Sequence, residues 1–273
     1  MNSDITVIKP QRGWRSLDFA ELWRYRELLS ALAMRDIKVR YKQTVLGLAW
    51  AIIQPVTAML IFSIIFGRLA QIPSDGMPYP IFVFSGLLAW NFFSTAVSSS
   101  GMSLLSAGGM ISKVYFPRII VPLASVGVGI ADFLVAVLIL FALMAYYAVP
   151  LTWQICLFPL FFLGLILTAT GLGAWLAAVT VVYRDFRFII PFMLQIWMYL
   201  TPVIYPASFI PEKWRWLLFL NPILGWVEGI RSAFLGRPID WTALAVSLLL
   251  TLIILFIGLR YFEKAERRFA DVI

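Results

Sequence analysis

The sequence predicts an all-α polytopic membrane protein. It has six transmembrane helices, an amphipathic N-terminal helix at the membrane interface, and short re-entrant or interfacial helices on the outer side between the fifth and sixth spans. Three observations predict this class. The 273 residues are 62% hydrophobic and only 13% charged, more apolar than a soluble domain of this length carries. A basic leader holding Arg35, Lys38, Arg40 and Lys42 gives way to a run without charge from Val45 to Phe66. Its 22 residues, at about 1.5 Å each, cover roughly 33 Å, enough to cross a hydrocarbon core. Finally, with an inside N-terminus, 17 Lys and Arg fall on inside segments and five on outside ones, which predicts both termini in the cytoplasm.

Residues 1–13 read as a polar, poorly ordered start. Across residues 14–43, Leu22, Tyr25, Leu29 and Leu32 recur at helical spacing among Arg24, Arg26 and Glu27, the pattern of a helix lying in the interface. Its end is ambiguous, because Ile37, Val39 and Tyr41 alternate with Lys38, Arg40 and Lys42 as a strand does. The helix is the preferred reading, and it places Arg35, Lys38 and Lys42 on one cationic stripe.

The spans are expected at 45–67, 80–104, 119–149, 153–182, 188–205 and 241–262, followed by a charged cytoplasmic tail at 263–273. The glycine-broken, then amphipathic loop 106–117 reads as a short helix across the inner face, and 183–187 as a tight inner turn. Residues 202–240 are punctuated by Pro202, Pro206, Pro211, Pro222 and Pro238 yet remain greasy, in apolar pieces too short to span. No repeat or low-complexity tract divides the chain, so residues 1–273 read as a single transmembrane domain.

Several function classes are excluded or disfavoured. Net charge +8 hints at nucleic acid, but the basic excess sits beside apolar spans, so no nucleic-acid partner is expected. The first apolar run is too long for a cleavable signal. One cysteine, Cys156, excludes an internal disulfide, and the absence of histidine excludes His-ligated metal and Ser-His or Cys-His catalysis. No metal site and no catalytic residue is expected. No Gly-x-x-x-x-Gly-Lys-[Ser/Thr] loop occurs, so nucleotide energy has to come from a partner and no cofactor is expected in this chain.

Some residues carry two readings. Asp132 is the one ionisable residue well inside a span, and such acids are functional candidates by default. Lacking the partners of a proton relay, it reads more readily as a carboxyl bonded to a neighbouring helix. Ala169, Gly173 and Ala177, with Thr170, Ala174 and Ala178 beside them, make a small-residue face suited to packing within the chain or to a dimer seam. Trp90, Phe92, Phe93, Trp197 and Tyr199 serve either as interface anchors or as faces on which sugar rings stack. The stripe of Arg35, Lys38, Arg40 and Lys42 suits anionic lipid, at about 1 kcal/mol per charge, or a lipid-linked diphosphate equally well.

Five ordered motifs carry a resemblance. Residues 35–50, Arg-Asp-Ile-Lys-Val-Arg-Tyr-Lys-Gln-Thr-Val-Leu-Gly-Leu-Ala-Trp, are followed by Gln54-Pro55. Ile111-Ser-Lys-Val-Tyr-Phe-Pro-Arg118, Tyr183-Arg-Asp-Phe-Arg187, Thr201-Pro-Val-Ile-Tyr-Pro206 and Asn221-Pro222 come next. Together, over about residues 30–240, they resemble the permeases of bacterial type 2 ATP-binding-cassette polysaccharide exporters, nearest in flavour to O-antigen permeases. The resemblance implies a homodimer in the inner membrane with two separate ATPase subunits, which hold ATP and Mg, and a substrate of undecaprenyl-diphosphate-linked polysaccharide. It implies a lipid-diphosphate entry at Leu46 and Gly47 near Arg35, Lys38, Arg40 and Lys42. It further implies coupling to the ATPase through the 106–117 loop, with Met110, Ser112, Lys113, Tyr115 and Arg118, and a periplasmic gate at Tyr205, Pro206, Trp214, Asn221 and Pro222. Two rival functions stand beside it. One is a drug- or lipid-exporting permease of the same class. The other is a membrane enzyme acting on lipid-linked sugars, disfavoured because no histidine or inside acidic pair is available.

Overall fold

The computed structural model describes residues 19–42, 49–111, 113–114, 116–266 and 269, and among these every regular element is helical. Helices α1 (Phe19–Arg24) and α2 (Arg26–Lys42) lead. The alternation at 37–42 is therefore helical, with no strand there. Leu22, Tyr25, Leu29 and Leu32 all pack into a core cluster with Leu104, Ile120 and Val121, so the apolar stripe faces the bundle.

Helix α3 (Ala49–Phe62) continues into a wider π-helical segment, Ser63–Leu69. It is followed by α4 (Tyr79–Ser106), the short α5 (Gly108–Ile111) and α6 (Ile120–Tyr146). A 3-10 turn, Trp153–Leu157, leads into α7 (Phe158–Val182), and α8 is Phe186–Leu200. Beyond it lie a 3-10 turn Ala207–Phe209, α9 (Glu212–Leu218), α10 (Leu224–Leu235) and α11 (Trp241–Glu266).

Among the described residues, five stretches are long and apolar enough to cross a membrane: Ala49–Leu69, Tyr79–Ser106, Ile120–Tyr146, Trp153–Val182 and Trp241–Glu266. The expected fifth span, 188–205, is shorter in the structure, where α8 stops at Leu200. The reason is local. A proline pushes the residue before it out of the helical region, and Thr201, before Pro202, is extended at φ −98°, ψ 138°. The 15 residues of α8 reach about 22 Å, short of a core about 30 Å thick. The 106–117 loop likewise forms only the four-residue α5 before turning.

Helix α4 is the axis of the bundle. Ile81, Phe82, Val83, Phe84, Leu87, Leu88, Phe92 and Phe93 are all buried, although its mean hydropathy of 1.5 is below the 2.0 to 2.7 of the other long apolar stretches. The outer helices instead expose Ile61 on α3, Ile64 on the π-helical segment after it, Leu138 on α6 and Phe256 on α11. Such faces suit a hydrocarbon surrounding, which is as apolar as the side chains it meets. The small-residue face of α7 is spent inside the subunit: Ala169, Ala174, Ala177 and Ala178 are buried, and Gly173 abuts Ser100 of α4. Farther along, α7 crosses α11 so closely that a Cβ on Gly258 would sit 2.1 Å from the Gly171 carbonyl oxygen.

Candidate functional site

Two polar clusters interrupt this apolar bundle, one at each end. The first joins α2 to α6. Ala33 abuts Gly127, and seven to eight residues on, Arg40 and Tyr41 reach Asp132, so α2 runs alongside α6 in the same direction. Arg40 Nη2 lies 2.7 Å from Asp132 Oδ2, and the Tyr41 hydroxyl donates to Asp132 Oδ1. Asp132 is thus a carboxyl bonded to a neighbouring helix, the reading preferred from the sequence. Its partners come from the basic leader, 91 and 92 residues earlier, which no local pattern reveals. Burial, and then the Asp132 carboxylate, push the Tyr41 phenol up to about 12, so it remains a proton donor at neutral pH.

Asp132 lies 12 residues into α6, about 18 Å along its axis. The cluster is therefore sunk into the bundle where α3 begins. There, Gln54, Asn91, Ser94 and Thr95 join Arg40, Tyr41 and Asp132 around a cavity of about 200 Å³, with Trp50, Phe92 and Phe133 among its walls. Of the expected entry residues, Arg35 and Lys38 are exposed on α2, with Arg35 paired to the adjacent Asp36 at 2.8 Å, while Arg40 turns to Asp132. Lys42 ends α2, and Leu46 and Gly47 lie outside the described residues.

The expected coupling residues divide. Met110 is half-buried against the cluster that holds α2, and Lys113 is exposed. Ser112 and Tyr115 lie outside the described residues. Arg118 is tied to the end of α11: its backbone N–H donates to Glu266 Oε1 at 3.0 Å, its Nη1 donates to the Glu266 carbonyl at 2.9 Å, and its guanidinium lies over Phe269.

The opposite cluster surrounds the broken end of α8. Asn221 Nδ2 donates to Thr201 Oγ1 at 2.8 Å, and Asn221 Oδ1 accepts from Trp197 Nε1 at 3.1 Å and from the Ile223 N–H at 3.2 Å. One amide thus joins the end of α8 to the start of α10. The Tyr205 hydroxyl donates to the Tyr199 carbonyl at 3.1 Å. Pro206 and Pro222 are buried, and Trp214 is exposed on α9. Trp90, Phe92 and Phe93 are buried within the subunit. Phe93 meets Trp197 edge-on at 5.3 Å, so these rings run continuously into the Asn221 network.

Beneath that network lies Arg231, counted in the sequence as an outer-loop cation but fully buried in the structure. It pairs with Glu228 at 2.6 Å and donates through Nη2 to the carbonyls of Pro202 and Val203 at 3.0 and 3.1 Å. Its guanidinium also lies 4.0 Å over the Phe82 ring. These carbonyls are orphaned where Pro202 stops α8, and Arg231 satisfies them. The Glu228–Arg231 spacing, three apart on a proline-bounded apolar piece, was the available sequence signal.

Comparisons with known proteins agree with this architecture. The family model for the ABC-2 type transporter membrane component matches residues 27–235. An O-antigen export system permease protein RfbA of Myxococcus xanthus is 30% identical over 258 residues, covering 93% of this chain and 98% of the relative. An RfbA of Klebsiella pneumoniae is 27% identical over 251 residues, covering 90% and 95%. The polysialic acid transport protein KpsM of Escherichia coli is 25% identical over 250 residues, covering 87% and 93%.

Proposed function

The chain belongs to the ABC-2 type transporter family, whose members are the membrane components of transporters, and from that premise we propose that it is the permease subunit of an exporter of lipid-linked polysaccharide. The cargo is an undecaprenyl-diphosphate-linked, O-antigen-like chain, moved across the inner membrane by ATP hydrolysis on separate subunits. The observation that carries this reading is near full-length similarity to proteins named for O-antigen export and for polysialic acid transport.

The geometry supports it. Exposed Arg35 and Lys38 on α2 offer two cations beside the foot of α3, at the level where a lipid diphosphate sits. The excess of Lys and Arg places that end in the cytoplasm, with both termini. Helix α8, with the residues after it, is then the fifth of six spans, and α9 and α10 are the re-entrant pair at the periplasmic exit. Two copies of the chain and two ATPase subunits complete the exporter. Lys113, exposed after α5, faces the ATPase, and the tie between Arg118 and Glu266 transmits its movement to α11.

The test is ATP hydrolysis by the complex in nanodiscs, after co-expression with candidate ATPase subunits, with and without lipid-linked glycan. Wild type is expected to co-purify with an ATPase and be stimulated by the glycan lipid, and Lys113→Glu to lose that stimulation. A chain that binds no ATPase overturns the reading. Stimulation by unglycosylated lipids or drugs, but not by glycan lipid, replaces it with a lipid or drug exporter.

A further inference from the structure

The cavity beside Arg40 and Asp132 is lined unlike an anion site. Its two charged residues, Arg40 and Asp132, are bonded to each other, so the described lining carries no net charge and offers no uncommitted cation. What it does offer is a set of neutral hydrogen-bonding groups. Gln54 projects from α3, and Asn91, Ser94 and Thr95 line one face of α4 at i, i+3 and i+4. Among the described residues, none of these four side chains has a hydrogen-bond partner. Gln54 is exposed and Asn91, Ser94 and Thr95 are half-buried, so all four are within reach of an entering ligand. Trp50, Phe92 and Phe133 supply apolar faces in the same wall.

Amides and hydroxyls that both donate and accept, a carboxylate, and aromatic faces suit a ring bearing hydroxyls on its edges and C–H bonds on its faces. A cavity of about 200 Å³ has the room of about six liquid waters. The exposed cations Arg35 and Lys38 stand within two turns of Arg40 on the same helix, near enough for a diphosphate and its attached sugar to be held together.

We infer that this cavity is a subsite for a single neutral sugar ring of the lipid-linked glycan, held by Gln54, Asn91, Ser94, Thr95 and Asp132. The inference rests on the reading of the chain as a glycan-lipid exporter. It assigns recognition of a sugar to the permease itself, at the inner end, in addition to anything the ATPase subunits read.

The test compares two probes on the purified complex in nanodiscs: undecaprenyl diphosphate, and undecaprenyl diphosphate bearing one N-acetylhexosamine. Equilibrium binding to wild type is expected to favour the glycosylated lipid about tenfold, the scale of one or two net hydrogen bonds. In Asn91→Leu/Thr95→Val the two probes are expected to bind equally. Gln54→Leu, at an exposed position, provides a second variant if the first fails to assemble. A preference unchanged in both variants overturns the subsite and leaves the export reading standing. If wild type binds neither probe, the export reading falls and the subsite with it. Native mass spectrometry covers the remaining case: retention of phosphatidylethanolamine that the variants abolish, with the sugar preference intact, makes this a phospholipid site and overturns the inference.

Discussion

Arg40 and Arg231 are both arginines in an apolar bundle, and their surroundings differ in every respect that decides what an arginine does. Arg40 remains 40% exposed and borrows its acid from another helix, so its ion pair borders a cavity and bridges two elements. Arg231 is wholly buried, takes its acid from its own helix three residues earlier, and gives Nη2 to two carbonyls of a broken backbone. The same side chain is thus a movable link at one end and a rivet at the other. Exposure decides which, because water reaches the Arg40 guanidinium and cannot reach that of Arg231.

Breaking the rivet carries the largest expected effect. Arg231→Met leaves Glu228 and two carbonyls without their partner, and loss of one member of a buried pair costs about 3–5 kcal/mol. Thermal unfolding of the detergent-held protein should record it, and Glu228→Gln added to Arg231→Met should recover part, since no uncompensated charge then remains. Gly86→Ala tests the same rivet sterically. A Cβ there would lie 2.5 Å from Arg231 Nη2 and 2.9 Å from the Val203 carbonyl oxygen, so overpacking of about 1–3 kcal/mol is expected in the same unfolding measurement. Asp132→Asn is the smallest. It preserves shape while removing a partly exposed pair, for which about 1 kcal/mol or less is expected. Equal destabilisation by Arg231→Met and Asp132→Asn would erase the distinction between rivet and link.

The apolar stripe of the leader was legible because it is a local period: Leu22 on α1, Tyr25 between the helices, and Leu29 and Leu32 on α2 repeat at helical spacing and pack together. The end of α8 was misjudged although its signal was equally local. The apolar run to Ile204 outweighed Pro202, yet the missing N–H and the steric restriction on Thr201 prevail. Asn221-Pro222 was legible as a motif, but not the amide that binds Trp197 and Thr201 together.

By itself the sequence determined the all-helical membrane class and the approximate bounds of five apolar stretches, because transfer of apolar residues into hydrocarbon is summed residue by residue along the chain. Only the tertiary structure decided which helix is central, that Arg231 is buried, and that Asp132 has Arg40 and Tyr41 for company. Those outcomes depend on which faces meet. Helices that are all strongly apolar carry little information about which faces meet until close crossings, such as Gly171 against Gly258, and paired polar groups select one arrangement.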